Sequence, residues 1–275
     1  MMKKIGILIG LLAAFVACNQ RLERQPLQII FTNDSHSQVE PLKEKGGFEA
    51  RAAIIDSLRA ENENTVLFDA GDMWQGTPYF NIFKGRLEVA AYNLMGYNAV
   101  TLGNHEFDYG LDTLAARIRE MQFPVVCANY DFGETELAAL VKPYTVIEQN
   151  GWKIGVIGVS VNPEGLILQS NIEGVTYMDP IEAVNRYAKV LRGELGCDYI
   201  IVLSHLGLHD DTIFNNVSDS TLIAGVSDVD LLLGGHTHQY KGVFEFVDTE
   251  GDTVPAIQEY KAGQKVYAIT IDTRD

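Results

Sequence analysis

The chain has 275 residues, of which 47% are hydrophobic and 21% are charged. This balance is typical of a folded protein with one large domain or two small ones, and it excludes a disordered chain. Asp and Glu outnumber Lys and Arg by 37 to 21, which gives a formal net charge of -16. That charge argues against a nucleic-acid polymer as a partner, because binding to a phosphate backbone requires positive charge. A small anionic substrate is compatible with it if a metal ion reverses the local field.

The cysteine count limits the kinds of metal site. Cys18, Cys127 and Cys197 have neither the number nor the spacing of a disulfide framework or a thiolate zinc site. Any metal bound by this chain is therefore expected to have oxygen and nitrogen ligands.

The N-terminus resembles a bacterial lipoprotein signal. Two lysines precede an apolar run over residues 5–17, which is long enough for a signal-peptide core and too short to span a bilayer. The run ends at Cys18, the residue that receives lipid in such signals. We therefore expect a location in the cell envelope, lipid-anchored through Cys18 and associated with the periplasm or outer membrane. The expected divisions are a signal peptide over 1–17, a tether over 18–26 and one folded domain over 27–275.

Short β-branched and aliphatic runs recur along the chain, each followed by a polar turn, and they predict buried strands. These runs cover residues 27–31, 66–68, 99–102, 125–127, 154–159, 199–203 and 230–233. Between them, apolar residues at spacings of three and four predict helices over 48–60, 87–95, 111–121 and 181–195. Such alternation of strands and helices predicts an α/β layered fold.

The C-terminal part of the sequence has a different pattern. Runs over 243–247, 256–260 and 266–271, with a turn over 249–252, predict antiparallel strands. We expect these strands to close the edge of a sheet without adding a second domain.

The histidines are placed unevenly. Ligands in open α/β sheets bind beyond the carboxyl ends of the strands, so histidines that follow strands are expected to meet at one rim of the fold. The sixth histidine, His209, is expected to be a solvated loop residue. The five that follow a predicted strand, or lie in a turn close to one, are His36, His105, His205, His236 and His238.

Aspartates follow the first two predicted strands. Asp34 lies two residues before His36, and side chains two apart in an extended segment point the same way, so both can bind one ion. Asp72 follows Gly71 after the second strand, and its two oxygens could bridge two ions. Each segment alone is also typical of an ordinary turn.

The segment 103–108 adds further polar residues. Asn104 offers a neutral oxygen ligand, and Asp108 can orient the imidazole of His105 if the chain turns helically. The alternative is that Asn104 starts a turn and Asp108 caps the next helix. Because several such segments occur at strand ends of one chain, we expect a shared site in which His105 and Asp108 are left for catalysis. The expected metal ligands are Asp34, His36, Asp72, Asn104, His205, His236 and His238.

This ligand set predicts the kind of cofactor. Mixed nitrogen and oxygen ligands suit two divalent ions that share one carboxylate, and they accept Mn, Zn, Fe or Co. Such a pair would lower the pKa of a bound water, so that hydroxide is available as a nucleophile.

The motifs resemble those of the calcineurin-type metallophosphoesterases, and within them the catalytic domain of the bacterial 5′-nucleotidase and UDP-sugar hydrolase family. The resemblance extends from Leu27 to Asp275. It implies a four-layer αββα sandwich, the metallo-dependent phosphatase fold. The matching segments are 32–36, 71–76, 103–108, 204–205 and 234–238, together with Gly46, Gly47 and Arg51.

The resemblance also implies a role for each site residue. Asp72 would bridge the two ions, while His105 and Asp108 would form the catalytic pair. His105 would either stabilise charge on the phosphoryl oxygens or protonate the leaving group. The implied ligands are Asp34, His36, Asp72 and His238 for one ion, and Asp72, Asn104, His205 and His236 for the other.

The expected function is hydrolysis of a small phosphorylated substrate, with nucleotides favoured. Family members continue into a C-terminal domain that stacks the base and binds the nucleotide through arginines, whereas this sequence ends at Asp275. We therefore expect either a separate nucleotide-binding chain or a smaller or different phosphoester. Two alternatives stay open. One is a phosphodiesterase or pyrophosphohydrolase that acts on cyclic nucleotides or UDP-sugars with the same site, and the other is a metal-dependent binding lipoprotein without catalysis.

Overall fold

The computed structural model describes residues 24–209, 217–239 and 242–272. The expected signal peptide and the expected lipidation site Cys18 lie outside these residues. The last part of the expected tether contacts the domain: Arg24 Nε donates to the carbonyl of Gly151 at 3.0 Å, and Trp152 Nε1 donates to the carbonyl of Gln25 at 2.8 Å. Within the described ranges, no helix combines the length and the hydropathy that spanning a bilayer requires.

The strands of the described residues are numbered in chain order. They are β1 (Leu27–Thr32), β2 (Thr65–Asp69), β3 (Ala99–Thr101), β4 (Val125–Val126), β5 (Tyr130–Asp131), β6 (Val141–Lys142), β7 (Tyr144–Gln149), β8 (Trp152–Ser160), β9 (Thr176–Tyr177), β10 (Tyr199–His205), β11 (Leu231–Gly234), β12 (Val243–Val247), β13 (Thr253–Gln258) and β14 (Tyr267–Ile271).

The α-helices of the same residues are also numbered in chain order. They are α1 (Phe48–Glu61), α2 (Pro78–Phe83), α3 (Arg86–Met95), α4 (Gly110–Ile118), α5 (Leu137–Leu140), α6 (Pro180–Lys189) and α7 (Asp219–Ala224). Turns of 3₁₀ helix cover His105–Phe107 and Gln169–Asn171, and a π-helical segment, Val190–Glu194, continues α6. Every predicted strand and helix overlaps an observed one.

The strands form two six-stranded sheets. The first sheet has the order β14-β1-β2-β3-β4-β6 and the second has the order β12-β13-β11-β10-β8-β7. In the first sheet β1, β2, β3, β4 and β6 are parallel, and in the second β8, β10, β11 and β13 are parallel. The carboxyl ends of each parallel set therefore lie at one edge of its sheet, as a binding site between strand ends requires.

Alternation along the strands divides the side chains among three buried layers. In β1, Ile29 packs between the two sheets while Ile30 packs against the helices outside the first sheet. In β10, Ile201 packs between the sheets and Val202 packs against the helices outside the second sheet. Because side chains alternate with a period of two, both faces of each sheet are covered. This arrangement confirms the predicted four-layer αββα sandwich.

The C-terminal strands differ from the prediction. β12 and β13 form an antiparallel hairpin that extends the second sheet, but β13 is parallel to β11. β14 pairs antiparallel with β1 at the edge of the first sheet, with Ile271 opposite Leu27. The expected antiparallel pairing is found between β12 and β13 and between β14 and β1, but these strands close one edge of each sheet rather than the edge of one sheet, and β13 joins β11 in parallel. Local alternation identifies a strand and its buried face, but it contains no information about which of two open sheet edges the strand will join.

Candidate metal centre

The loops after five strands form one rim of the fold, which we call the site rim. These strands are β1, β2 and β3 of the first sheet and β10 and β11 of the second. In this rim, sets of three side chains place their ligand atoms within 4.8 Å of one another. The sets are Asp34 with His36 and His238, Asp72 with His205 and His236, and His36 with Asp72 and His105.

Asp72 lies between the two halves of the site. Its Oδ2 is 3.1 Å from His205 Nε2 and 4.0 Å from His36 Nε2. On the other side, Asp34 Oδ1 is 3.1 Å from His238 Nε2, and His238 Nε2 is 2.9 Å from His36 Nε2. Carboxylate and imidazole atoms at this spacing surround positions that a divalent ion could occupy.

Asn104 supplies an independent test of whether a cation fits. Its side chain is 6% exposed, and its Oδ1 is buried without a hydrogen-bond partner among the described residues. Leaving a buried polar atom unpaired costs about 1–3 kcal/mol, so such atoms are rare in native proteins. Asn104 is joined to the site through its neighbour, since the backbone N–H of His105 donates to Asp72 Oδ1 at 2.9 Å. A cation beside Asp72 would give this oxygen the partner that it lacks.

The backbone of the site is held in an unfavourable conformation. Five of the seven expected ligands have φ in the left-handed region, between 46° and 76°. Non-glycine residues adopt this region at a cost, and it is concentrated at functional sites. The five residues are Asp34, His36, Asp72, His236 and His238.

Two glycines allow the loops to approach one another. A Cβ on Gly103 would overlap the carboxylate of Asp72. A Cβ on Gly235 would lie 3.0 Å from both Asp34 Oδ2 and His205 Nδ1. Glycine at these two positions is therefore required by the space that the candidate ligands occupy.

In two of the imidazoles, a neighbouring backbone carbonyl lies beside the second ring nitrogen. His205 Nδ1 is 2.7 Å from the carbonyl of Ala70, and His36 Nδ1 is 3.3 Å from the carbonyl of Trp74. These contacts direct Nε2 of each ring towards the carboxylates, as the outer partners of metal-ligating histidines do.

Among the described residues, the carboxylates of Asp34 and Asp72 have no lysine or arginine partner, and the groups that face them are imidazoles. Burial opposes charge on His205, but Asp72 and Asp34 raise the pKa of this imidazole to about 10. Burial and the neighbouring His205 lower the pKa of His236 to about 4. Against the effect of burial, His205 holds the pKa of the Asp72 carboxyl well below its usual range. Burial also opposes charge on Asp34, but the hydrogen bond with His238 lowers the pKa of this carboxyl. Both carboxylates are thus kept charged, and they stabilise positive charge on His205.

His105 has a different partner from the other imidazoles. The 3₁₀ turn brings its Nδ1 to 3.0 Å from Asp108 Oδ2. Asp108 therefore holds the ring by a carboxylate rather than by a backbone carbonyl. The ring lies 5.5 Å from that of His36, centroid to centroid, so His105 borders the centre.

Sequence reasoning assigns no role to Glu106, yet its carboxylate joins two loops of the site rim. It accepts the backbone N–H groups of Asp72 and Met73, both at 2.9 Å, and that of Gly103 at 2.5 Å. The side chain is 1% exposed, and burial together with Asp72 raises its pKa to about 8. In the sequence, the feature that could have pointed to Glu106 is its place in the segment 103–108, directly before the apolar Phe107, among polar residues that already have expected roles. Glu106 fixes the position of Asp72 relative to Asn104.

The structure therefore brings together all seven expected ligands and the expected catalytic pair at one rim. His209 is exposed, and its ring lies 6.1 Å from that of Phe244, so it belongs to none of the sets described above. Cys18 lies outside the described residues.

A layered α/β fold with histidine and aspartate side chains gathered at its strand ends is typical of metal-dependent hydrolases. The chain belongs to the calcineurin-like phosphoesterase family, which matches residues 27–240. This confirms the resemblance found in the sequence. The family implies divalent metal ions, and the histidine and aspartate sets of the site rim fit such ions.

Three similar proteins illustrate the relationship. The 5′-nucleotidase of Diplobatis ommata is 34% identical over 94% of this chain and 47% of its own length. The structure of a 5′-nucleotidase precursor from Thermus thermophilus has a TM-score of 0.82 at 30% identity, over 90% of this chain and 51% of that one. The structure of Haemophilus influenzae NAD nucleotidase has a TM-score of 0.78 at 27% identity, over 91% and 48%. The chain thus spans about half the length of these relatives.

Proposed function

We propose that this chain is a two-metal phosphoester hydrolase that acts on nucleotides. One observation carries the proposal: six histidine and aspartate side chains from four strand ends form overlapping sets of possible ligands, with the His105–Asp108 pair at their border. Beside them, Asn104 has a buried oxygen without a partner among the described residues, and its neighbour His105 donates its backbone N–H to Asp72. The similarity to 5′-nucleotidases supports nucleotides as the substrate class.

The two ions would be held by two overlapping sets. Asp72 would belong to both, because it lies between the imidazoles of His36 and His205. When bound, divalent ions of the kind Mn, Zn, Fe or Co supply a nucleophile by acidifying water and neutralise charge on the phosphoryl group. The first set would be Asp34, His36, Asp72 and His238, and the second Asp72, Asn104, His205 and His236.

His105 would act on the substrate itself. Burial opposes its charge, but the hydrogen bond to Asp108 raises the pKa of the imidazole. Asp108 accepts from Nδ1–H, so Nε2 has a proton only in the imidazolium form, and that proton can go to the phosphoryl oxygens or to the leaving oxygen. Both roles require the protonated ring, which the hydrogen bond to Asp108 favours. Asp108 is thus the positioning residue of the pair.

A substrate panel tests the proposal. The full chain, loaded with Mn²⁺ or Zn²⁺ and checked for bound metal by elemental analysis, is incubated with adenosine 5′-monophosphate, a cyclic nucleotide, UDP-glucose and bis(4-nitrophenyl) phosphate. We expect the highest kcat/KM for the nucleoside monophosphate, with release of inorganic phosphate. Bound metal without hydrolysis of any ester would contradict the proposal and support a binding lipoprotein.

A second candidate is hydrolysis of a pyrophosphate link with the same site. The likeness to NAD nucleotidase favours it. Adding NAD to the panel separates the two candidates, since a pyrophosphohydrolase would release nucleoside monophosphates before any inorganic phosphate.

We also propose that the protein is anchored to the cell envelope through lipid on Cys18. The support is the sequence pattern of an apolar run over 5–17 that ends at this cysteine. With a net charge of -16, attachment to an anionic membrane would depend on acyl chains rather than on charge. Wild type is expected in the membrane fraction of its native host and Cys18→Ala in the soluble fraction. Wild-type protein in the soluble fraction would contradict the anchor.

A further inference from the structure

The strand β13 is parallel to β11 and ends at the site rim, although none of the expected ligands follows it. Its last residue, Gln258, is completely buried. The backbone after it is bonded to the loop that follows β1: the N–H of Glu259 donates to Asn33 Oδ1 at 3.0 Å, and Asn33 Nδ2 donates to the carbonyl of Glu259 at 2.9 Å. The N–H of Ala262 donates to the carbonyl of Asp34 at 2.7 Å. The end of β13 is therefore fixed to the loop that carries Asp34.

The side-chain amide of Gln258 contacts a different loop, the one that follows β11. Its Oε1 accepts from Thr237 Oγ1 at 2.8 Å and from the backbone N–H of Gln239 at 3.3 Å. Its Nε2 donates to the carbonyl of Gly235. These three residues alternate with the two expected histidine ligands of the loop. One buried amide thus holds the loop on both sides of each histidine.

The backbone of this loop needs such support. His236 and His238 have φ of 76° and 53°, in the left-handed region that non-glycine residues adopt at a cost. Such a conformation persists only where the surrounding structure fixes it. The bonds to Gln258 do so, because breaking them would leave a buried amide and its partners unpaired.

We propose that Gln258 is the positioning residue for the two histidine ligands that follow β11. Its backbone is tied to the loop of Asp34, and its side chain is tied to the loop of His236 and His238. It therefore sets the approach of the two loops, in which His238 Nε2 lies 3.1 Å from Asp34 Oδ1. The inference rests on the proposed function, because that function assigns these imidazoles to metal ions. It adds a residue that supports the ligands without being one of them.

Replacing Gln258 by methionine tests the inference, because methionine keeps the length of the side chain and removes the hydrogen bonds of the amide. Gln28→Met is the matched control. Gln28 is also a buried strand glutamine, and its Oε1 accepts from Thr65 Oγ1 at 3.3 Å, but it lies near the amino end of β1, away from the site rim. Free Mn²⁺ is measured by electron paramagnetic resonance during titration of each protein. We expect wild-type affinity in Gln28→Met and an affinity about 10–100-fold lower in Gln258→Met.

A second pair of variants removes one bond from the side of the loop, and it keeps the test available if Gln258→Met does not fold. Thr237→Val loses the hydroxyl that donates to Gln258 and should weaken Mn²⁺ binding by a smaller factor, whereas Thr237→Ser, which keeps the hydroxyl, should bind as wild type does. Wild-type affinity in both Gln258→Met and Thr237→Val, or an equal fall in Gln28→Met, would overturn the inference even if phosphoesters are hydrolysed.

Hydrogen exchange of the metal-free protein, followed by mass spectrometry, gives a readout that needs neither metal nor turnover. In Gln258→Met the amides of residues 235–239 should exchange about tenfold faster than in wild type, while those of residues 103–108 keep their wild-type rate. Faster exchange confined to the loop would support the positioning role even if wild type bound no Mn²⁺ and the proposed function failed. Unchanged exchange in the loop, or an equal rise over 103–108, would overturn the role.

Discussion

Charged side chains lie at both ends of the second sheet, but the groups that face their carboxylates differ between the two ends. At the end opposite the site rim, a group that we call the basal cluster pairs each carboxylate with arginine. Arg192 Nη2 is 2.6 Å from Asp230 Oδ2, Arg192 Nε is 3.6 Å from Asp228 Oδ1, and Arg24 pairs with Asp198. At the site rim, the carboxylates face imidazoles, and the Asn104 oxygen has no partner among the described residues.

The carboxylates of the basal cluster are neutralised by arginines of the chain and stabilise the fold, whereas the carboxylates of the site rim are placed to bind a cation. Asp230 also accepts the backbone N–H of Ile200 at 2.6 Å, so the basal cluster fixes the start of β10 and is complete within the chain. The site rim combines closely spaced acidic groups with an unpaired oxygen, and a cation would neutralise the first and give the second a partner. Its left-handed backbone is a further cost that is typical of functional sites. Substitutions of the site-rim carboxylates should therefore reduce metal binding, whereas substitutions in the basal cluster should reduce stability and leave metal binding unchanged.

The largest effect is expected for Asp72→Asn. The substitution removes the carboxylate that lies between the two sets of ligands, so kcat/KM for a nucleoside monophosphate should fall by about 10³-fold or more. Metal content by elemental analysis should fall with it. Asp230→Asn, which changes a carboxylate of the basal cluster in the same way, should keep wild-type metal content. Full turnover by Asp72→Asn would contradict the assignment of the bridging ligand.

Glu106→Ala should have the next largest effect. Three backbone N–H groups would lose their acceptor, so the loops that carry Asp72 and Asn104 would lose their common support. Metal affinity is expected to fall about 10–100-fold, as it does when outer partners of ligands are removed, with a loss of about 2 kcal/mol in unfolding free energy. Metal titration and urea unfolding measure the two effects. Glu106→Gln, which keeps one acceptor oxygen, should recover part of the affinity, and a loss of stability alone would reduce Glu106 to a structural role.

Asp108→Ala should lower kcat about 10–100-fold while metal content stays at the wild-type value, because Asp108 contacts His105 and no expected ligand shares its carboxylate. Steady-state kinetics on metal-verified protein measure the effect. Asp112→Ala, a nearby acidic residue in the first turn of α4, serves as the matched control. Loss of metal in Asp108→Ala would place this pair among the ligands.

The strand ends of the site were predictable because histidines and acidic residues follow buried runs that local alternation identifies. The sheet that each C-terminal strand joins was not predictable, because β13 and β14 have similar sequence patterns but belong to different sheets. Glu106 was missed for a related reason: its role consists of three hydrogen bonds to backbone groups from two loops, which no local pattern records. Gln258 was missed likewise, because its amide contacts the loop that follows a different strand, β11.

The smallest effect is expected for Asp230→Asn in the basal cluster. Asp230 is partly exposed, and an asparagine oxygen can still accept the N–H of Ile200, so the loss of the ion pair with Arg192 should cost only about 1 kcal/mol. Urea unfolding should show this loss with an unchanged m-value. Arg192→Ala should cost more, because it leaves Asp228 and Asp230 without their common partner. If either substitution weakened metal binding, the two ends of the sheet would be coupled, and the separation of supporting charge from ligand-binding charge would be wrong.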